Sequence, residues 1–433
     1  MSRWGGGVSG RRAAAAAVAL ISVAGLAAGP ASGSGSGADI TLPWRVAALS
    51  VNLAGRPGNG VGGATASVDG CRVAFDTSNL ILKAGSPYDD GDFGMYVRER
   101  GSDRTRVVSS DRAGHPAYGN YWGQVSGDGR YVVMVGSYSS LTPPGTDLSR
   151  WVLRKDLRTG RVETSRMPKA SGPATGLPLS GAEVQAVSAD GRLTAGEVWF
   201  MSADRHVVVS RIVVFDWVTH RWSMLGSYGA VRLLQAMSAD GRYLAYTAAD
   251  SAWDERELYL LDRKTGTTRH VGRGPAGAVA VHYHTQISGD GRLMVTTWNR
   301  KPETYDMNVV VQRTSDLAVV NSVHDTWLGG ATAVSYGARW VLLNFARADG
   351  SGRADVYRWD RQTGRRVLVS VTRDGRPPAG NSMGVAVTDD GATVIFTSHA
   401  GDIVPGDTPD DDVTTDTDID VFAATTSAAR RCG

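Results

Sequence analysis

Cysteine occurs only at Cys71 and Cys432 in 433 residues, so the chain can be neither a disulfide-dense scaffold nor a multi-cysteine metal protein. Helical periodicity is nearly absent after residue 38, which argues against an α/β enzyme fold. No apolar run reaches the roughly 20 residues of a comfortable membrane span. No Gly-x-Ser-x-Gly nucleophile elbow sits on a strand-to-helix turn, because Gly33-Ser34-Gly35-Ser36-Gly37 belongs to a flexible N-terminal stretch.

What the N-terminus does contain is a secretory layout. Arg3, Arg11 and Arg12 precede an unbroken apolar and small-residue run from Ala13 to Ala28, followed by Gly, Pro, Ala and Ser up to Ala38. Residues 1–38 are expected to be a signal peptide with a flexible extension, or alternatively a retained anchor. No cysteine follows the run to accept a lipid. These three arginines are the only charges before Asp39, and the whole chain is formally +3, so residues 39–433 are neutral. A neutral body gives little reason to expect nucleic-acid binding, which needs clustered basic residues against phosphates. The expectation is a secreted or cell-envelope protein, read as a monomer.

The most informative segment is Ser126-Gly127-Asp128-Gly129-Arg130-Tyr131, which recurs almost unchanged at Ser188, Ser238 and Ser288. Degenerate copies appear at Ser67-Val68-Asp69-Gly70, Ser335-Tyr336-Gly337-Ala338-Arg339 and Thr388-Asp389-Asp390-Gly391-Ala392. Each lies between two short apolar runs, with Asp-Gly where a tight hairpin needs positive φ. Between Gly70, Gly129, Gly191, Gly241, Gly291, Ala338 and Gly391 the steps run from 47 to 62 residues, the period of a propeller. A second punctuation follows in most units: Asp156-Leu-Arg-Thr-Gly160, Asp262-Arg-Lys-Thr-Gly266 and Asp360-Arg-Gln-Thr-Gly364. Each unit therefore reads as four antiparallel strands, and the chain as an all-β, seven-bladed β-propeller filling residues 39–433 as one domain.

Closure is written into the termini. Leu49-Ser50-Val51-Asn52-Leu53-Ala54-Gly55-Arg56-Pro57 matches Val369-Ser370-Val371-Thr372-Arg373-Asp374-Gly375-Arg376-Pro377, the outer strand and exit loop of unit six. The N-terminus thus begins with a fourth strand lacking its first three, while unit seven lacks a fourth. Pairing them removes exposed edges. It also brings Cys432 towards Cys71, which follows the first Asp-Gly turn. A bridge there would close a loop of about 360 residues and contribute roughly 4 to 5 kcal/mol in the chain-entropy account. The alternative is two unpaired thiols.

The pattern Ser-x-Asp-Gly-Arg-Tyr, an acidic loop, Asp-Val-aromatic and Asp-x-x-Thr-Gly resembles the TolB-type, or WD40-like PD40, propeller repeats. Unit seven carries it most fully, from Thr388 to Asp420-Val421-Phe422. The resemblance implies the fold; its members include binding platforms, assembly factors, peptidase accessory domains and lyases, so function has to be argued from the site. Units five and six depart from it at Arg313-Thr-Ser-Asp316 and Tyr336-Gly337-Ala338 and are expected to be irregular.

Ligands are expected on the face opposite the turns, where loops vary. Tyr121, Trp122, Trp253, His282 and His284 are the candidate ligand-binding residues, placed in the segments before units two and five and in a unit-four loop. Most tryptophans are expected to fill the wedges between blades. His282 and His284 alternate and could face one way along an extended segment, but two ligands are too few for a metal. Asp416, Asp418 and Asp420 end the most acidic stretch and could offer calcium its oxygen ligands, although the EF-hand pattern is absent and a solvated loop explains them equally. The leading expectation is a non-catalytic module that binds an extracellular protein, peptide or glycan. The rival is a secreted polysaccharide lyase or hydrolase with His282, His284 and acidic residues at the channel mouth.

Overall fold

A computed structural model describes residues 44–51, 61–77, 94–110, 120–136, 141, 151–167, 179–201, 208–225, 231–249, 257–271, 279–299, 307–325, 328–349, 351–406 and 419–432. Numbered in chain order, blade one holds β2 (Val61–Ala66), β3 (Arg72–Thr77), β4 (Gly94–Glu99) and β5 (Arg104–Val107). Blade two holds β6 (Asn120–Val125), β7 (Tyr131–Gly136), β8 (Trp151–Asp156) and β9 (Val162–Arg166). Blade three is β10 (Leu179–Val187), β11 (Leu193–Met201), β12 (Val208–Asp216) and β13 (Arg221–Leu225). Blade four is β14 (Val231–Met237), β15 (Tyr243–Ala249), β16 (Glu257–Asp262) and β17 (Thr267–His270). Blade five is β18 (Val279–Ile287), β19 (Leu293–Asn299), β20 (Met307–Arg313) and β21 (Val319–Asp325). Blade six is β22 (Leu328–Val334), β23 (Trp340–Ala346), β24 (Ala354–Asp360) and β25 (Arg366–Leu368). Blade seven joins β26 (Ser382–Val387), β27 (Thr393–Ser398) and β28 (Asp420–Thr425) to β1 (Arg45–Ala48), giving the order β1-β28-β27-β26. The seven-bladed ring and its closing N-terminal strand are as the sequence predicts. No helix among the described residues is long and apolar enough to cross a membrane.

The repeated motif is a turn in which each fixed residue has a task. In blade two the Ser126 hydroxyl donates to Asp128 Oδ1 at 2.5 Å, and that oxygen also accepts the Arg130 amide at 2.9 Å. The Tyr131 amide returns to Ser126 Oγ at 2.9 Å, and Gly129 sits at φ 71°. Arg130 then reaches Asp156 Oδ2 at 2.8 Å, tying the first hairpin to the Asp-x-x-Thr-Gly turn. Arg192–Asp216, Arg242–Asp262 and Arg339–Asp360 repeat this latch. Blades five and six each complete four strands, with Ala338 at φ 56° in the glycine's place and Leu317 at φ 61° in blade five. Their ladders are irregular as expected: blade five slips between Ala280 and Thr285 and between Val311 and Gln312, and blade six slips twice along β22. In blade five Arg313 stands where the other blades carry the latch aspartate, opposite Leu293, which leaves Arg292 with only a 3.8 Å approach to Asp290.

Apolar packing follows the ring. Each seam between adjacent blades holds its own buried cluster, such as Val133, Val152, Val198 and Phe215 between blades two and three. Trp217, Trp298, Trp340 and Trp359 are buried, and every tryptophan whose side chain is described is buried or half-buried, which supports the wedge-filling expectation. Cys71 and Cys432 form the disulfide, with Cα atoms 5.5 Å apart at a sequence separation of 361.

Candidate functional site

Inner strands bulge. In blades three, four, six and seven the ladder to the second strand slips after Val184, Leu234, Ala331 and Gly384, each seven residues before the turn residue with positive φ. A bulge leaves a backbone amide without a ladder partner. The preceding blade supplies one from the residue six positions after its own turn: Leu234 N–H donates to Glu197 Oε1, Ala331 N–H to Thr297 Oγ1 at 3.1 Å, and Gly384 N–H to Asn344 Oδ1 at 3.4 Å. That position is polar in six of seven blades, as Asp76, Glu197, Thr247, Thr297, Asn344 and Thr397, with Val135 the exception. Only in blade three does it carry a glutamate.

Glu197 is fully buried and lies directly opposite Glu183 in the β10–β11 register. Glu183 is half-buried on an inner strand whose flanks are covered by β6 and β14, so its exposed part opens on the axis. Gly196 makes the approach feasible, since a Cβ there would stand 2.0 Å from the Glu183 carbonyl oxygen. Burial, and then the charge of Glu183, pushes the Glu197 carboxyl up to about 8. Burial pushes Glu183 up to about 7, against hydrogen bonding from Gln185. Glu197 Oε2 and Gln185 Oε1 are buried without hydrogen-bond partners. Nothing in the sequence reading singles out this pair, because its members are 14 residues apart and meet only through the hairpin.

A cavity of about 480 Å³ opens on the other feature of the axis, the turn face. Its lining comes from the turns of blades three, four and six: Ala189, Asp190, Arg192, Asp216, Ala239, Asp240, Arg263 and Tyr336 among them. Successive turns are joined around this rim by bonds such as Ala189 N–H to Ala239 O at 2.7 Å and Asp290 N–H to Tyr336 O at 3.2 Å. The second residue of each motif spends no side chain on the turn itself and so varies, as Val68, Ala189, Ala239 and Tyr336; Val68 and Tyr336 are exposed. The sequence reading sets ligands on the opposite face, whereas this cavity lies among the turns. Its charged groups are already engaged: Arg192 with Asp216 at 2.8 Å, Asp190 and Asp240 with Ser188 and Ser238 at 2.6 Å, and Arg263 with Gly241 O at 2.7 Å.

Tyr121 and Trp122 lie on β6, and His282 and His284 on β18, within the inner strands and not in crossings between blades. Both stretches coincide with ladder slips, between Tyr121 and Gln124 and between Ala280 and Thr285, so simple strand alternation does not govern His282 and His284. Tyr121 occupies the same strand position in blade two that Glu183 occupies in blade three. Trp253, Asp416 and Asp418 lie outside the described residues. Asp420 is buried at the start of β28, where its Oδ1 accepts the Ser50 hydroxyl at 2.6 Å. Among the described residues no three His, Cys, Asp or Glu side chains gather as a metal cluster.

No protein-family profile matches the sequence, and a search of curated proteins gives no relative. Solved structures do match in shape. An oligogalacturonate lyase in complex with manganese superposes with a TM-score of 0.55 at 13% identity, covering 91% of this chain and 99% of that one. The oligogalacturonate lyase of Vibrio parahaemolyticus gives 0.56 at 12% identity, over 92% and 100%. The Pyrococcus horikoshii acylaminoacyl peptidase gives 0.50 at 9% identity, over 79% of this chain and 50% of that one. Identities this low show a shared fold, and the chain is similar to these proteins as a seven-bladed propeller.

Proposed function

We propose that this chain is an exported propeller that binds an extracellular protein, peptide or glycan and performs no chemistry. The observation that carries this reading is the turn-face cavity. It offers volume, an exposed Tyr336 and hydrogen-bonding edges, while its carboxylates and guanidiniums are held by the turns and latches of the scaffold. A pocket whose ionisable groups are committed to the scaffold is suited to recognition more than to proton transfer. Tyr121, Trp122, Trp253, His282 and His284 are kept as candidate ligand contacts in the same reading. The TolB-type character of the repeat, the leader and the disulfide support an extracellular or envelope setting.

The rival is a polysaccharide lyase or hydrolase using His282 and His284, the activity class named for the oligogalacturonate lyases that share the fold. One experiment separates them. Residues 39–433 are applied to peptide and glycan arrays beside Tyr336→Ala and Arg263→Ala variants, and incubated in parallel with oligogalacturonate. Ligand capture that weakens in both variants, without consumption of the sugar, is expected. Cleavage of oligogalacturonate that is lost in His282→Ala and His284→Ala would overturn the reading.

A further inference from the structure

The carboxyl pair of blade three plays no part in the turn-face cavity. Glu183 and Glu197 face each other across β10 and β11, on the side of blade three that meets β14. The basic residues of the flanking strands are turned elsewhere. Arg232 of β14 lies over the Tyr246 ring at 5.6 Å, and Arg211 pairs with Val198, on the opposite face of the sheet from Glu197. Glu197 Oε1 accepts the Leu234 amide and Trp199 hydrogen-bonds towards the same carboxyl, while Oε2 is buried without a close hydrogen-bond partner on the side of Glu183. Gln185 hydrogen-bonds towards both carboxylates, and its own Oε1 is a second buried, unpartnered oxygen. The two ends of a side-chain amide are told apart only by their hydrogen bonds, so a half-turn brings that oxygen to the pair. Two carboxylates and an unsatisfied amide oxygen form an all-oxygen donor set that lacks only positive charge.

We propose that Glu183, Gln185 and Glu197 form a site for a hard divalent cation, calcium or magnesium, at the inner edge of the seam between blades three and four. Glu197 and Gln185 each supply one oxygen, Glu183 supplies one or two, and water from the axis completes the shell. Oxygen-only coordination suits these cations over zinc or copper, which favour nitrogen and sulfur. Two carboxylates match a double positive charge, and Leu234 N–H fixes the Glu197 carboxylate plane. The cation would pin β10 to β14 and so stiffen one seam of the ring.

The test is thermal unfolding of residues 39–433 in chelator, then with calcium or magnesium chloride at millimolar concentration, paired with calorimetric titration of each cation. Glu197→Gln keeps the acceptor for Leu234 N–H while removing charge; Glu183→Gln, at a half-exposed side chain, serves if that variant folds poorly. Asp416→Asn/Asp418→Asn is the control for the acidic stretch. The wild type should gain a few degrees of melting temperature with one of the cations. Both glutamate variants should lose that gain and bind at least about tenfold more weakly, while the control keeps it. A wild type indifferent to both cations, or a response that the glutamate variants retain, would overturn the proposal.

Discussion

The Ser50 hydroxyl donates to Asp420 Oδ1 at 2.6 Å across 370 residues of sequence, and the Val421 amide returns to Ser50 Oγ at 2.9 Å. The same pattern recurs inside blade six, where Ser370 Oγ accepts the Val356 amide at 2.9 Å and lies 3.5 Å from Asp355 Oδ1. The first described strand of the chain is thus held to the last by a device that elsewhere holds the third and fourth strands of one blade together.

Ser50→Ala removes the donor from a buried carboxylate and should cost about 1 to 3 kcal/mol. Urea unfolding followed by tryptophan fluorescence measures it. Hydrogen exchange should also quicken in β28, and unchanged exchange there would mean that Ser50 is dispensable for the seam.

Cys71→Ser/Cys432→Ser releases the tail that follows β28. Because the closed loop is long, the loss should approach about 4 to 5 kcal/mol relative to the oxidised protein. Reducing agent should lower the wild type to the variant's midpoint and leave the variant unaffected.

The Arg–Asp latches predict an acid limit. The Arg242 hydrogen bond holds the Asp262 carboxyl down to about 2, against 3.8 for the free group, and Asp216 is lowered in the same way by Arg192. A lowered carboxyl contributes stability that is present above pH 4 and lost as pH falls towards 2. Asp262→Asn should lower the melting temperature at neutral pH and flatten its fall across that window. Arg292→Ala should do neither, since Arg292 has no such latch.

Gly196→Ala would place a Cβ 2.0 Å from the Glu183 carbonyl oxygen, and backbone cannot yield as a side chain does. A cost of about 3 kcal/mol or failure to fold is expected from forced overpacking. By contrast Gly160→Ala, whose Cβ meets nothing within 4 Å but whose φ is 73°, should pay only the strain of its turn.

Much of the architecture was legible because turns demand particular residues. Asp-Gly at positive φ, the Ser and Arg around it, and the Ser-Val-x-x-x-Gly-Arg-Pro echo between the N-terminus and unit six are local requirements, and they carried blade number, closure and the cysteine pairing. Departures at Ala338 and Arg313 looked like breaks, yet both turns keep their own backbone bonds, Ala338 N–H to Ser335 O and Leu317 N–H to Arg313 O. The axis was less legible. Bulges shift the inner strands without a sequence mark, by one residue in β6 and by three in β18, and Tyr121, Trp122, His282 and His284 lie on those strands and not in crossings. Glu183 and Glu197 meet only through that shift. The polar residue six positions after each turn was the available signal, and the glutamate in blade three its outlier.

Ring closure by the N-terminal strand is tested most directly at Val46 and Ala424, which stand opposite each other in β1 and β28. Val46→Cys/Ala424→Cys, oxidised and mapped by non-reducing peptide mass spectrometry, should yield an intramolecular bridge between the two new cysteines beside the native Cys71–Cys432 bond. Thiols left free in the folded protein, or bridges formed only between molecules, would contradict the closed ring.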